Sequence, residues 1–432
     1  MYSGLGRCYT VLKEAPDISL YKNTVLEGCL TSLSYDMQSE GTRAEYIFAL
    51  TQFFSDDKFF LLPLTEKFAT QPTEDDSTFA HMAELLSLFL KKGSIKAMVA
   101  LLSRYEELLS VLKSKRDFEA YDFDRDCLER LCIILIAPSP ELFFTKIADD
   151  LGALFIANPG YSREDFEFFT EEAENLTGKS LEALTLRDSS ENIKSFMRAP
   201  KRSAPPPVKS AERVNEGDIF DLILGDTPPT FAEKRRFIRR ATGEMWQRLN
   251  MMSEMISSSS LKAEIISLYS AAEKEYHNPP ALIEYAESGD TEFSLAALEA
   301  LVFCRGTLIA DYAAERLIGC RHDEWAVRML IRNADTVEGD ILALVLSECE
   351  CAPWDNDTRH TVCGEIVSAS ERGIPISRAA MLFAYENTPC SRCRLNALRE
   401  LIRRKMADAE ILRECLYDSD EDIRALAKAN KK

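Results

Sequence analysis

The sequence predicts an all-α protein arranged as an α-solenoid of stacked antiparallel helix pairs. Three observations carry that expectation. Glycine and proline are scarce, 17 of each in 432 residues, whereas an all-β chain needs many tight turns. Apolar residues recur at helical spacing along most of the length. Toward the C-terminus an anchor position recurs at Ser294, Glu324, Arg359, Arg394 and Arg424, in steps of 30, 35, 35 and 30 residues.

Composition bounds the rest. Hydrophobic residues make up 46% and charged residues 28% of the chain, a globular balance. The net charge of −19 repels nucleic-acid phosphate and anionic lipid, so neither is an expected general partner. No apolar run approaches the ~18 residues of a membrane span; the best is Leu131–Ala137. The opening Met1–Cys8 lacks the apolar core of a signal peptide. The twelve cysteines do not show the short-loop spacing of a secreted disulfide scaffold. The expectation is a cytoplasmic protein with reduced thiols.

In chain order, Ile18–Leu33 carries an apolar stripe and reads as a helix. Thr42, with Glu45 three residues on, has the pattern of a capping box before Tyr46, Ile47, Leu50, Phe53 and Phe54. Asp56 and Asp57 open a helix over Phe59–Ala69, in which Pro63 marks a turn or kink. From Asp76 to Leu112 the signal is nearly continuous and breaks at Gly93. Leu128–Ile136 is apolar on most faces, as in a central helix, with Ile133, Ile134 and Ile136 keeping a strand open as an alternative. Glu141–Ile156 follows. Ser162-Arg-Glu-Asp165 is a capping start for Phe166, Phe169 and Ala173. The aromatic stripes Phe53, Phe54, Phe59, Phe60 and Phe166, Phe168, Phe169 read as core.

Composition then shifts. Arg198–Ser210 is basic and proline-rich and cannot bury enough surface to offset ordering entropy. The expected organisation is an N-terminal helical domain over 1–197, a linker over 198–216 and a C-terminal array over 217–432. Asp218–Leu224 reads as a short amphipathic piece that docks on its own domain. Thr230–Met255 reads as one long basic helix, ended by Ser257–Ser260. Beyond it, helices pair around the anchors.

A unit of 30–35 residues holds two helices and two turns. One pair alone exposes its apolar face, and stacking buries it against the next. Three residues after each anchor stands a small side chain: Ala297, Val327, Val362, Ala397 and Ala427. An Asp in the turn before the helix suits its N-terminal dipole. An Arg in the first turn does not, and predicts an acidic partner, the Asp of the neighbouring repeat.

Asp420-x-x-Ile423-Arg424-x-x-Ala427 resembles the inner-helix motif of HEAT repeats, including the short bacterial type. Asp357-Thr-Arg359-x-x-Val362 and Cys393-Arg394-x-x-Ala397 are weaker copies, and Glu324 and Ser294 depart from the motif at the Arg position. Tyr35–Ala44 is similar to the opening of bacterial HEAT-repeat proteins of unassigned function. The resemblance covers residues 280–432 and implies an armadillo-like fold that binds partners. It implies no single chemistry.

Candidate sites follow. The leading expectation is a non-enzymatic scaffold that binds another protein through its inner-helix surface. Trp325, Arg328, Trp354, Arg359, Arg394 and Arg399 are its contact residues, because interfaces concentrate energy in Trp and Arg. An anion site falls on Lys234, Arg235, Arg236, Arg239 and Arg240, weighed against a solvated face that neutralises the protein's own acid. HEAT-built DNA glycosylases are basic, and −19 argues against membership. Cys349, Cys351, His360, Cys363, Cys390 and Cys393 form the most enzyme-like cluster. Cys390 and Cys393 supply a C-x-x-C half-site for zinc, yet no second C-x-x-C exists, so buried thiols are the reading preferred and no metal or cofactor is expected. Gly4-Leu-Gly6 lacks the strand and third glycine of a dinucleotide loop. No phosphate loop, H-E-x-x-H or G-x-S-x-G occurs. The enzymatic alternative, implied by resemblance to HEAT-like lyases that act on tetrapyrrole–protein adducts, needs a reactive Cys beside a cation in a concave pocket.

Overall fold

The computed structural model describes residues 3–115, 122–186, 190–198, 230–336, 341–349 and 353–431. All regular structure among them is helical, with no strand. Apart from Arg198, the expected linker at 198–216 lies outside the described residues, as does Asp218–Leu224. No helix among the described residues is long and apolar enough to cross a membrane. Contacts divide the chain into two compact units, 1–208 with 409–432, and 209–408.

In the first unit the apolar periodicity becomes helices as the spacing predicts. Asp76–Lys91 and Ile95–Ser114 are separated at Gly93, whose φ of +93° is a left-handed conformation that suits glycine. Asp75 and Ser94 cap them by accepting from Thr78 N and Ala97 N. The alternative of a strand at Leu128–Ile136 is resolved as the helix Phe123–Ile136. Leu128, Leu131, Cys132, Leu135 and Ile136 are buried in the core, which joins Phe79, Leu86, Phe144, Phe166 and Phe169. The capping box at Ser162 and Asp165 forms as expected, opening a short 3-10 turn before Glu167–Thr177.

Three local expectations change. Phe168, read as core, is 68% exposed, because the backbone there turns Phe166 and Phe169 inward instead. Thr42 does not make a capping box. Its hydroxyl donates to Glu84, and the helix Ala44–Thr51 starts after Arg43 without a side-chain cap. Pro63 lies inside an unbroken helix, Asp57–Phe68. Buried Phe60, Leu61, Leu64 and Phe68 hold that helix through the proline, an example of packing that overrides propensity. His81 is fully buried, with Nε2 2.8 Å from the Gly28 carbonyl. Burial lowers its pKa to about 4, so it is a neutral core group.

The helices Ala409–Cys415 and Glu421–Asn430 pack within this first unit, although the repeat register counts the second of them as the last copy of the C-terminal array. Arg7 pairs with Glu414 at 2.9 Å. Tyr9 stacks on Tyr417 at 4.1 Å between ring centroids, and Ser419 N donates to the Gly4 carbonyl at 2.9 Å.

In the second unit, Ser259–Ala271, Thr291–Leu301, Glu324–Arg332, Asn356–Glu371 and Ser391–Arg403 each contact the next. Pro279–Ala286, Thr307–Gly319 and Arg378–Asn387 pack between them in sequence, each against a member of that row. The stretch expected as one helix over Thr230–Met255 is two, Phe231–Arg240 and Gly243–Met255. Ala241 is extended and the Thr242 hydroxyl accepts from Met245 N, capping a new helix where the old one stops.

Candidate functional site

The anchor helices share local features. Asp290, Asp323, Asp355 and Asp420 are the N-caps of four of the five anchor helices, each accepting backbone N–H from the first turn. The residues three past the anchors, Ala297, Val327, Val362, Ala397 and Ala427, are all fully buried. Polar links in the second unit join residues about 30 positions apart. Arg305 pairs with Asp335, Asn333 Nδ2 donates to the Cys304 carbonyl at 3.1 Å, Ser370 donates to Glu400 at 2.7 Å, and Arg378 pairs with Asp408. Glu273 accepts from Arg372 at 2.6 Å and lies 3.8 Å from Arg332, so one carboxylate joins residues on three helices or their ends.

Arg424 does not find the acidic partner expected of a first-turn arginine. Arg424 Nη1 donates to the carbonyls of Asp418 and Ser419, at 2.7 and 2.9 Å, just before its own helix. Arg359 Nε donates to the Trp354 carbonyl at 3.3 Å. Arg394 is fully buried. It cannot meet a partner protein from inside the core, and it is withdrawn as a contact residue.

The other residues assigned to the inner face are distributed as follows. Trp325 is half-buried, and the Arg328 guanidinium lies 4.7 Å over its ring. Arg328 also pairs with Glu365 at 2.8 Å, both nearly buried, so it is held in place between two helices. Trp354 is half-buried and donates its indole N–H to the His322 carbonyl at 2.9 Å. Arg399 is exposed, with Nη1 3.0 Å from Asn396 Oδ1. Nearby, Arg403 and Arg404 converge on Glu400. The Arg403 hydrogen bonds do most to bring that carboxyl down to about 2.

On the basic helix, Lys234 pairs with Glu264 at 2.6 Å and also reaches Ser267 at 3.1 Å. Arg235 lies over the Phe231 ring, and Arg239 donates to the Arg235 carbonyl. Arg235, Arg239 and Arg240 are exposed, while Arg236 is half-buried. Part of the cluster is therefore committed to the protein itself.

The eleven cysteines among the described residues are all outside disulfides. Most are buried, and desolvation raises thiols such as Cys304 and Cys349 to about 11. Cys349 donates to the Arg321 carbonyl at 3.6 Å and does not join Cys390 and Cys393. Cys351 lies outside the described residues. His360, Cys390 and Cys393 do converge, with one ligand atom of each within 4.8 Å of the others. Among the described residues of the first unit, two cavities stand out. One, of about 270 Å³, is lined by Cys8, Arg7, Leu12, Tyr21, Val25 and Leu50 among others, with Arg7 already paired to Glu414. The other, of about 470 Å³, includes Ile133, Ile134, Lys91 and Glu172.

The residues that the sequence did not single out are Glu365, Glu273, Asn333 and Glu400. Each is an ordinary polar residue on a helix or at its end, and the contact that ties it to another helix exists only because that helix packs against it. Compared with known proteins, the chain matches no family model, no curated protein and no solved structure.

Proposed function

We propose that the chain is a non-enzymatic scaffold that binds another protein along the surface of its anchor helices, with HEAT-like helix pairs stacked as an α-solenoid. The observation that supports this reading is the row of successive helices tied by polar links about 30 positions apart. Such an array gives each unit the same neighbours and leaves an extended face free of core duty. Half-buried Trp325, braced by Arg328, is a rigid aromatic, and Arg399 supplies an exposed cation. Both residue types concentrate binding energy at interfaces.

The test is quantitative affinity capture from native lysate with the full chain and with a Trp325→Ala/Arg399→Glu double variant. The expected result is a discrete protein retained by the wild type and reduced more than about tenfold with the variant, the loss a hot-spot pair produces. A variant that retained every protein the wild type retains would overturn the inner-face reading. Arg394 is excluded from this experiment, because substituting a buried cation tests folding rather than binding.

A further inference from the structure

Among the five anchor helices, Ser391–Arg403 is capped differently. Where the others have Asp290, Asp323, Asp355 and Asp420, it has Cys390, whose side chain makes no cap hydrogen bond. Cys393 stands three residues on, so both thiols fall at the same end of one helix face. The contacting helix Asn356–Glu371 brings in His360. Its Nδ1 is 3.8 Å from Cys393 Sγ, and one atom from each of the three residues lies within 4.8 Å of the other two. Gly364, one turn after His360, faces the same thiol: a Cβ built there would sit 4.0 Å from Cys393 Sγ.

A tetrahedral zinc ion, with bonds of about 2.3 Å to sulfur and 2.0 Å to nitrogen, holds its ligand atoms roughly 3.5–3.8 Å apart. The observed spacing needs only small rotamer adjustments to reach that geometry. We propose that His360, Cys390 and Cys393 bind one divalent zinc-like ion that clamps Ser391–Arg403 to Asn356–Glu371. Two soft thiolates and an imidazole select zinc or cobalt over magnesium or calcium. Three protein ligands leave a fourth position for water or another donor. On binding, the two S–H bonds break, two protons pass to solvent and two sulfur–metal bonds form; neutral His360 contributes a lone pair. Affinity therefore falls as pH falls, by up to about a hundredfold per pH unit below the thiol pKa values.

The test uses the full chain, kept reduced, and titrates it with Co²⁺. The expected result is one Co²⁺ per chain, with intense visible bands of a tetrahedral site and a near-ultraviolet sulfur-to-cobalt band, both removed by Zn²⁺. Cys393→Ser and His360→Ala should each weaken binding at least tenfold, and Cys349→Ser should leave it unchanged. A wild-type spectrum of weak octahedral cobalt overturns the proposal without reference to any variant. Binding that survives Cys390→Ser/Cys393→Ser intact overturns it as well.

Discussion

At the scale of single residues, burial of ionisable groups has consequences that composition does not reveal. Glu129 is one of 71 acidic residues in the sequence. In the fold it is buried on Phe123–Ile136 and accepts from Phe169 N at 3.2 Å. Burial pushes its carboxyl up from 4.5 to about 7. Between those values the unfolded chain has released the proton and the folded chain still holds it. The folded state therefore loses stability from this group as pH rises from about 4.5 to about 7, and the loss is complete above that. Glu129→Gln keeps an acceptor for Phe169 N and removes the charge. Relative to wild type it should gain about 2–3 kcal/mol at pH 8 compared with pH 4.5. Urea unfolding at both pH values checks this, and a difference independent of pH would refute it.

At the scale of elements, helix starts set the register. Asp355 is exposed and caps its helix, accepting from Thr358 N at 2.8 Å, with no arginine among the described residues paired to it in an ion pair. Asp323 accepts from Trp325 N and Ala326 N and also pairs with Arg316 at 2.7 Å. Asp355→Ala should cost about 1 kcal/mol. Asp323→Ala should cost about 2–3 kcal/mol, because it removes a charge-assisted pair as well as a cap. Denaturant midpoints measured side by side give the comparison, and equal losses would contradict it. Gly93 and Ser162 announce helix ends and starts through their own chemistry. The break at Ala241–Thr242 had a signal too, Thr242 followed by Gly243, but the apolar period on either side runs through it.

At the scale of the whole molecule, the tail and the start of the chain share one unit. Gly6 is a point of close approach: a Cβ there would lie 1.9 Å from the Glu414 carbonyl oxygen and 2.9 Å from the Tyr417 carbonyl carbon. Both are backbone atoms, so no rotamer change relieves the clash. Gly6→Ala should destabilise this unit by about 1–3 kcal/mol. It should also speed amide hydrogen exchange across Ala409–Cys415 and Glu421–Asn430. Gly319→Ala, where an added Cβ meets nothing within 4 Å, is the control that should leave exchange unchanged. Slow exchange preserved in the Gly6 variant would show that the contact carries no weight. In sequence, Gly4-Leu-Gly6 resembled half of a loop for a cofactor; its role lies in backbone approach to residues some 400 positions away.

The sequence by itself determined that this chain is helical, where most helices begin, and which small residues lie buried at each anchor. Those properties are local, set by apolar period, cap chemistry and the scarcity of glycine and proline. Tertiary structure decided what spacing along the chain leaves open. It buried Arg394, turned Arg424 back onto its own helix start and placed the last anchor helix with the N-terminal unit. It also brought His360 to Cys390 and Cys393 while leaving Cys349 elsewhere. The physical reason is the same in each case: a side chain's partner is chosen by which helix packs against it, and that choice depends on contacts among residues far apart in the chain.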